Sequence, residues 1–529
     1  MQSRREFLFS SAALLAAPAG KPRFGLVRST HAKLRRPVSP EDPLDYALVR
    51  DMVWRAIEYG KPAAGSLEAK VKPGSWVVIK PNIVSLPTQS THCYGDVTDM
   101  RVTKAVLEYV ARNSRARRIT VAEGGSYRRV RDPIGATAVL QNGVRVDAST
   151  LDWGTEQFPG WDGTIEGMLR EFGAAFPGKQ FDYIDLSYDG VRDAAGNLRR
   201  IEVPRTAGGV GAFGARPDYF VTRTILNCDF LISVPVMKVH EMCGITACLK
   251  NYVGTAPREA YASPRGGFSN TLLHSQHQVE DRIDPFIADL AAFHPPDYVV
   301  ADGIRGLQYT EHNNRRPDQM VRNNLVLAGE DPVAADALTA YLLGFSPGDI
   351  EFLHMAAQRG MGGNELGRIE VVGEEADRLR RAWIKPRTWH GRGNRHWLVT
   401  RAPESPLAGW ARYGTPTDTL HFTRWAPDAA EGQAFAAAVK VISDGNSKGF
   451  LWTGARGRVT VLLNGEKVLE EENRTRYRPG QFQKPVTLRS GENLLVFHLQ
   501  AVTDQPQLSA FLVNARNDGD TLDGIRWTA

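Results

Sequence analysis

The chain has 529 residues, 42% hydrophobic and 23% charged, which is too long for one core and points to a folded protein of two to four domains. Its net charge of +6 is diluted along the whole length. With no long Lys/Arg block and no zinc-finger or basic-region pattern, nucleic-acid binding is not expected.

Residues 1–20 read as a twin-arginine (Tat) export signal. Ser3-Arg4-Arg5-Glu6-Phe7-Leu8 holds the arginine pair, an apolar run follows to Ala17, and Ala17-Pro18-Ala19 has the form of a cleavage site. The run is about eleven residues, too short for a bilayer that needs about twenty. No later run reaches that length. The expectation is a chain handled by the Tat export machinery, not membrane-spanning, in the periplasm or outside the cell. Residues 21–42, rich in Pro and Arg, read as an extended arm.

The segment 43–375 reads as an α/β domain with a mostly parallel, Rossmann-like sheet. Residues 44–59 carry apolar residues at helical spacing, and Gly60 closes the helix. Residues 76–79 form a β-branched strand that exits into Lys80-Pro81-Asn82. Thr98-Asp99 caps a helix over 100–111. Residues 118–122 give the next strand, ending in Glu123-Gly124. Strand, helix, strand is a βαβ unit. A helix and strand are expected near 133–150, then a strand near 181–186. A buried strand spans about 231–236, and a helix starts near 246–252. Further expectations are a helix over 284–292, strands over 298–301 and 324–328, a helix over 333–343, and a last strand near 370.

Residues 376–414, rich in Arg, Trp, Pro and Gly, read as a connector. Residues 415–529 read as a jelly-roll-like β-sandwich, with alternation at Val459, Val461 and Leu463 before the hairpin pair Asn464-Gly465. Trp452, Tyr477 and Phe482 are the residues through which this domain would hold a glycan, or else they pack its core. A glycan or protein partner of the envelope is the non-catalytic alternative for the whole chain.

Chemistry concentrates in residues 238–251. An apolar run opens into Lys238, His240, Glu241, Cys243, Thr246, Cys248, Lys250 and Asn251. In open α/β sheets ligands sit at the carboxyl ends of strands, and this is what such an end looks like. Lys80, Lys238 and Lys250 all follow apolar segments, and converging ammonium groups suit a small anionic ligand, with solvated surface lysines as the alternative. His240 is the candidate proton-transfer residue, beside Lys238 and Lys250. Asn82, Glu123, Asn251 and His274 are candidate ligand contacts. A metal, if present, would draw on His240, Asp302 or Asp331, although no spacing in the sequence names one. The plainer readings are a helix cap for Asp331, a turn at Asp302-Gly303, and a helix-dipole role for Asp336.

The four cysteines, at 93, 228, 243 and 248, contain no CxxC and no ferredoxin-type run, so a Cys-ligated iron–sulfur cluster is not expected. A disulfide between Cys243 and Cys248, or from either to Cys93, is compatible with export.

Several of these elements recur together in one family. Val78-Ile79-Lys80-Pro81-Asn82, Thr98, Glu123-Gly124, Pro235-x-x-Lys238-x-His240, Thr246, Lys250-Asn251, Gly254, His274, Asp302-Gly303, 328–334 with Asp336, and Leu343-Gly344-Phe345 resemble domain of unknown function 362 (DUF362) over about 43–374. The family has no settled activity to carry over. Many members add a ferredoxin-like iron–sulfur module whose cysteines this chain lacks. A looser likeness is to nickel-pincer lactate racemases, which place Lys and His at strand ends.

Overall fold

The computed structural model describes residues 21–29, 45–86, 93–124, 138–139, 145–146, 153–158, 161–261, 271–279, 282–311, 318–386, 389, 393–415, 418–475 and 477–528. The expected Tat signal and most of the segment 133–150 lie outside them. Among the described residues no helix is long and apolar enough to cross a membrane.

Eight strands form the first sheet: β1 (Arg23–Arg28), β2 (Trp76–Pro81), β3 (Arg118–Glu123), β4 (Gln180–Asp185), β5 (Phe230–Val234), β6 (Tyr298–Leu307), β7 (Met320–Gly329) and β8 (Glu370–Gly373). Their order is β8-β1-β7-β6-β5-β2-β3-β4. Only β7 runs against the others, pairing antiparallel with β6 and β1. The sheet is therefore mostly parallel, as expected from strands that alternate with helices.

Helices cover both faces. Helices α1 (Tyr46–Tyr59), α2 (Met100–Asn113) and α3 (Ile165–Ala175) pack Val53, Ala105 and Met168 against Val77, Ile79, Val121 and Ile232. On the other face α4 (Asp284–Ala292), α5 (Pro332–Leu342) and α6 (Glu351–Gln358) pack Ile287, Leu338 and Phe352 against Val78, Leu231 and Leu327. Burial on both faces explains why β5 reads Phe-Leu-Ile-Ser-Val without alternation.

Three expectations change here. The arm at 21–42 is in its described first part a strand. Phe24, Leu26 and Val27 are buried, and β1 pairs with both β7 and β8. Gly25 lies against α1, where a Cβ would fall 2.8 Å from Gly60 N. The expected turn at Asp302-Gly303 is continuous strand, with a bulge between Gly303 and Arg305. The helix expected from 246 is instead a strand, Gly244–Thr246, followed by a 3₁₀ segment, Lys250–Thr255.

The C-terminal part is all antiparallel. Its longest strand, Ser447–Leu463, pairs through its first half with Phe482–Leu488 and Gln507–Val513, and through its second half with Glu466–Asn473 and Gly491–Gln500. It thus belongs to two sheets that wrap a core of Trp397, Phe435, Val461, Phe497 and Leu508. The Asn464-Gly465 hairpin is present, with φ of 52° and 87°, the left-handed pair that a tight hairpin turn requires. Trp452 and Tyr477 are buried, 1% and 3% exposed, and Phe482 is half-buried against the core, so these aromatics pack the domain and present no glycan platform.

The sandwich begins earlier than 415. His396–Thr400 pairs with Ala434–Ser443, and Ala411–Gly414 extends the same sheet. Upstream, Trp383 and Trp389 lie in the core of the α/β domain, with Trp389 packed edge-on to Phe345 at 4.9 Å. The connector is therefore core on one side and sheet on the other. A fragment 393–529 is expected to give a cooperative thermal transition followed by circular dichroism. A fragment 415–529, which lacks buried Trp397 and Val399, is expected to melt at least 10 °C lower, since each large core side chain removed costs about 2–5 kcal/mol. Equal melting of the two would contradict this boundary.

Candidate functional site

The chain runs β2, β3, β4 in one direction across the sheet and then returns to place β5 and β6 on the other side of β2. The order reverses between β2 and β5, and the crevice outside their carboxyl ends is where ligands of such sheets bind. Both strands stop there for local reasons. Pro81 has no N–H to continue the ladder, and Pro235 follows Val234.

A polar seam fills this point. Lys80 and Ser233 are register partners on β2 and β5. Asn251 lies across them. Its Nδ2 donates to Lys80 O at 3.1 Å and Ser233 Oγ at 3.2 Å. Its Oδ1 accepts from Lys80 Nζ at 2.9 Å and Asn82 Nδ2 at 3.2 Å, which exhausts the amide. Lys80 Nζ also donates to Glu123 Oε1 at 2.8 Å, and both residues are 1% exposed. Glu123 accepts in addition from Ile83 N at 2.7 Å and Gly124 N at 2.8 Å. Gly254 covers the pair: a Cβ there would fall 2.9 Å from Lys80 Nζ and closer still to Glu123 Oε1. Thr98 ties the two strand ends, accepting from Asn82 N at 2.9 Å and donating to Val234 O at 2.7 Å.

Lys238 and His240 sit on a short hairpin, Lys238–His240 against Gly244–Thr246. Lys238 Nζ donates to Asp96 Oδ1 and to Asp96 O, each at 2.6 Å, and Ser85 Oγ holds the other Asp96 oxygen at 2.7 Å. Both ring nitrogens of His240 are engaged. Nδ1 accepts from Met242 N at 3.2 Å, so Nε2 carries the proton that faces Glu311 Oε1 at 3.1 Å. Glu311 Oε2 accepts from Glu241 N at 2.6 Å. The imidazole expected to move a proton thus has a partner at each nitrogen, one of them the Glu311 carboxylate.

Lys250 differs from the other two lysines. Its side chain is half-buried, and no hydrogen bond or ion pair reaches it among the described residues. Burial lowers its pKa, Lys238 and Lys80 lower it further, and Cys243 and Glu311 act the other way. Two more groups here lack partners: Asn82 Oδ1 and Thr246 Oγ1, on residues 4% and 2% exposed. Asn82 Nδ2 is fixed on Asn251, so the open atom is an acceptor. Buried polar groups are nearly always hydrogen-bonded, so two open ones mark a place for a ligand or ordered water.

The remaining candidates lie elsewhere. His274, in the helix Thr271–His277, approaches Gln278 and packs on Phe286, and none of its described partners belongs to the seam. Asp331 caps α5, accepting from Ala334 N at 2.8 Å, and holds Gly363 N at 3.1 Å. Asp302 accepts from Asp99 N and Ile304 N at 2.8 and 2.9 Å. Burial and the neighbouring Asp99 carboxylate push its pKa up to about 7. Asp99 is pushed up by burial, yet the Arg101 and Arg305 guanidiniums, each 2.7 Å from it, hold it well below the usual range. Among the described residues no three His, Cys, Asp or Glu side chains gather around a common point, and His240, Asp302 and Asp331 each have separate partners. All four cysteines are free thiols, so the disulfide expectation fails. Burial raises Cys93 to about 12, and Cys243 and Cys248 well above their ordinary value.

Asp336 does more than face a helix dipole. From α5 its carboxylate accepts from Cys248 N at 2.7 Å and Leu249 N at 2.9 Å, which fixes the turn that carries Lys250 and Asn251. Burial lifts its pKa to about 7. Sequence reading passed over Asp96, Arg305 and Glu311. For Arg305 a signal existed, because Ile304 and Leu307 continue the apolar character of β6 past Gly303. Asp96 and Glu311 sit in loops with no pattern to mark them.

Residues 198–341 match the family model described as "Domain of unknown function (DUF362)". Over that segment, about a quarter of its length, the chain is similar to the DUF362 family. The matched segment holds Lys238, His240, Lys250, Asn251, Asp302, Asp331 and Asp336, while Lys80, Asn82 and Glu123 precede it. A comparison with curated proteins gives no match. Among solved structures, one similar to part of this chain is a β-glucosidase from Kluyveromyces marxianus in complex with glucose, at 13% identity, 23% of this chain, 16% of that chain and a TM-score of 0.19. The lactate racemase apoprotein from Thermoanaerobacterium thermosaccharolyticum shows 13% identity over 53% of this chain and 52% of that one, with a TM-score of 0.26. A family 35 carbohydrate binding module from an environmental isolate shows 14% identity over 19% of this chain and 74% of that one, with a TM-score of 0.14. This chain thus spans about a sixth of the β-glucosidase and half of the racemase. At such TM-scores none of these likenesses carries an argument about activity.

Proposed function

We propose that this protein binds a small anionic ligand at the switch point between β2 and β5, with Lys250 as the group that meets its charge and exchanges a proton with it. The observation that carries this reading is the contrast inside one site. Lys80 and Lys238 are neutralised by Glu123 and Asp96 within hydrogen-bond distance, whereas Lys250, Asn82 Oδ1 and Thr246 Oγ1 are open. An anion carrying a hydroxyl or N–H donor satisfies all three. Export by the Tat route is part of the same proposal and is supported by Arg4-Arg5 with the apolar run behind them.

The sign of the pH dependence follows. The Lys250 pKa is lowered by burial. A bound anion raises it, so binding takes up a proton, and affinity falls as pH rises through the bound-state value. Thermal-shift measurements with acetate, lactate, pyruvate and phosphate at constant ionic strength test this. At a ligand concentration of 100 times Kd, stabilisation reaches about 2.7 kcal/mol. At least one anion is expected to raise the melting temperature of the wild type and not of Lys250→Met, with a smaller rise at pH 9 than at pH 7. Equal shifts in both proteins, or no shift with any anion, would overturn the proposal.

A further inference from the structure

Four kinds of nucleophile lie near the switch point: three lysines, Cys243 with Cys248, His240 and Thr246. Cys243 and Cys248 are buried, which raises their thiol pKa values, and both nitrogens of His240 have partners. The lone pair of a lysine is available only if no carboxylate holds its proton. Lys80 and Lys238 fail that condition by their contacts with Glu123 and Asp96 at 2.8 and 2.6 Å. Lys250 meets it, and its half-buried side chain leaves an approach from outside.

We infer that Lys250 condenses with a carbonyl group of the ligand to form an imine, so that the ligand class is a small aldehyde acid or 2-oxo acid. This deepens the anion-site reading and rests on it. The neutral Nζ adds to the carbonyl carbon, and the C=O electron pair moves to oxygen, which takes a proton. The carbinolamine then loses that oxygen as water while the nitrogen pair forms C=N. The balance is amine plus carbonyl giving imine plus water, with no oxidant or reductant. Protonation of the imine takes one proton from solvent and restores the positive charge of a lysine, opposite the ligand carboxylate and within electrostatic reach of Glu311. Desolvation, with Lys238 and Lys80 adding to it against Cys243 and Glu311, lowers the Lys250 pKa and so enlarges the share of free amine. The open acceptor Asn82 Oδ1 and the hydroxyl of Thr246 supply groups that a carbinolamine oxygen or a ligand hydroxyl can engage.

The test uses the full-length protein with glyoxylate or pyruvate and sodium cyanoborohydride at pH 7.5, followed by proteolysis and mass spectrometry. The expected result is a reduced adduct at Lys250 that forms at least tenfold faster than at any other lysine. It is absent in Lys250→Arg, whose folding is checked by circular dichroism. Labelling of Lys250 no faster than surface lysines overturns the imine. If that happens while acetate or phosphate still stabilises the protein through Lys250, the imine falls and the anion site stands. An adduct at Lys250 without any anion-dependent stabilisation overturns the anion-site reading, and with it the assignment of the imine to an anionic ligand.

Discussion

Lys80→Met is expected to lower the unfolding free energy of the α/β domain by about 3–5 kcal/mol. Lys80 and Glu123 are each 1% exposed, and their contact is 2.8 Å. Removing the ammonium leaves a carboxylate in an apolar surround with only the amides of Ile83 and Gly124 to stabilise it. It also frees Asn251 Oδ1 from one of its two donors. The loss is electrostatic, so a second change should reverse much of it. Lys80→Met combined with Glu123→Gln removes both charges and keeps an acceptor for Ile83 N, and at least half of the lost stability should return. Equilibrium urea unfolding with an unchanged slope measures both. A cost below about 1 kcal/mol for Lys80→Met would place the pair among weak surface bridges and refute this account of the seam.

The second large effect is on pH dependence. The Asp336 carboxyl has a folded-state pKa near 7, raised by burial, against about 3.9 in an unfolded chain. Its contribution to stability is full below pH 4. As pH rises, the unfolded chain ionises first, and stability is lost until the folded carboxyl also ionises near pH 7. Each unit of separation is worth about 1.4 kcal/mol, which bounds the loss at about 4 kcal/mol. Asp336→Asn removes this term while keeping one acceptor for the amides of Cys248 and Leu249. The variant should therefore gain on the wild type by a few kcal/mol between pH 4 and pH 7.5. Parallel pH profiles for the two proteins would show that Asp336 does not titrate in this window.

The alternation of strands and helices was legible wherever one rule dominated. Residues 76–79, 118–122 and 298–301 read as strands because β-branched residues run without polar interruption, and they are strands. The helix beginning at Asp99 was legible from its cap, and Asp99 does accept from Arg101 N at 3.0 Å. The misreadings share one cause. Residues 23–28 read as an arm because flanking Pro and Arg obscured an apolar Phe-Gly-Leu-Val core, and only pairing with two distant strands makes them β. Asp302-Gly303 reads as a turn locally, yet β7 pairs across it. The connector hid Trp383 and Trp389 because a core position is defined by what packs on it, here Phe345 and its neighbours.

For the site, residue types and strand exits were visible in the sequence: Lys80, Glu123, Lys238, Lys250 and Asn251 all proved to lie at or beside the seam. Their roles were not, since a lysine looks the same whether a carboxylate faces it or not. The residues that decide this, Asp96 for Lys238 and Glu311 for His240, are 142 and 71 positions away in the chain. What the sequence determined by itself was local: propensity, capping, the apolar runs and the polar ends at which they stop. Tertiary structure decided which charges are neutralised and which stay open, because ion pairing depends on distances of about 3 Å set by folding.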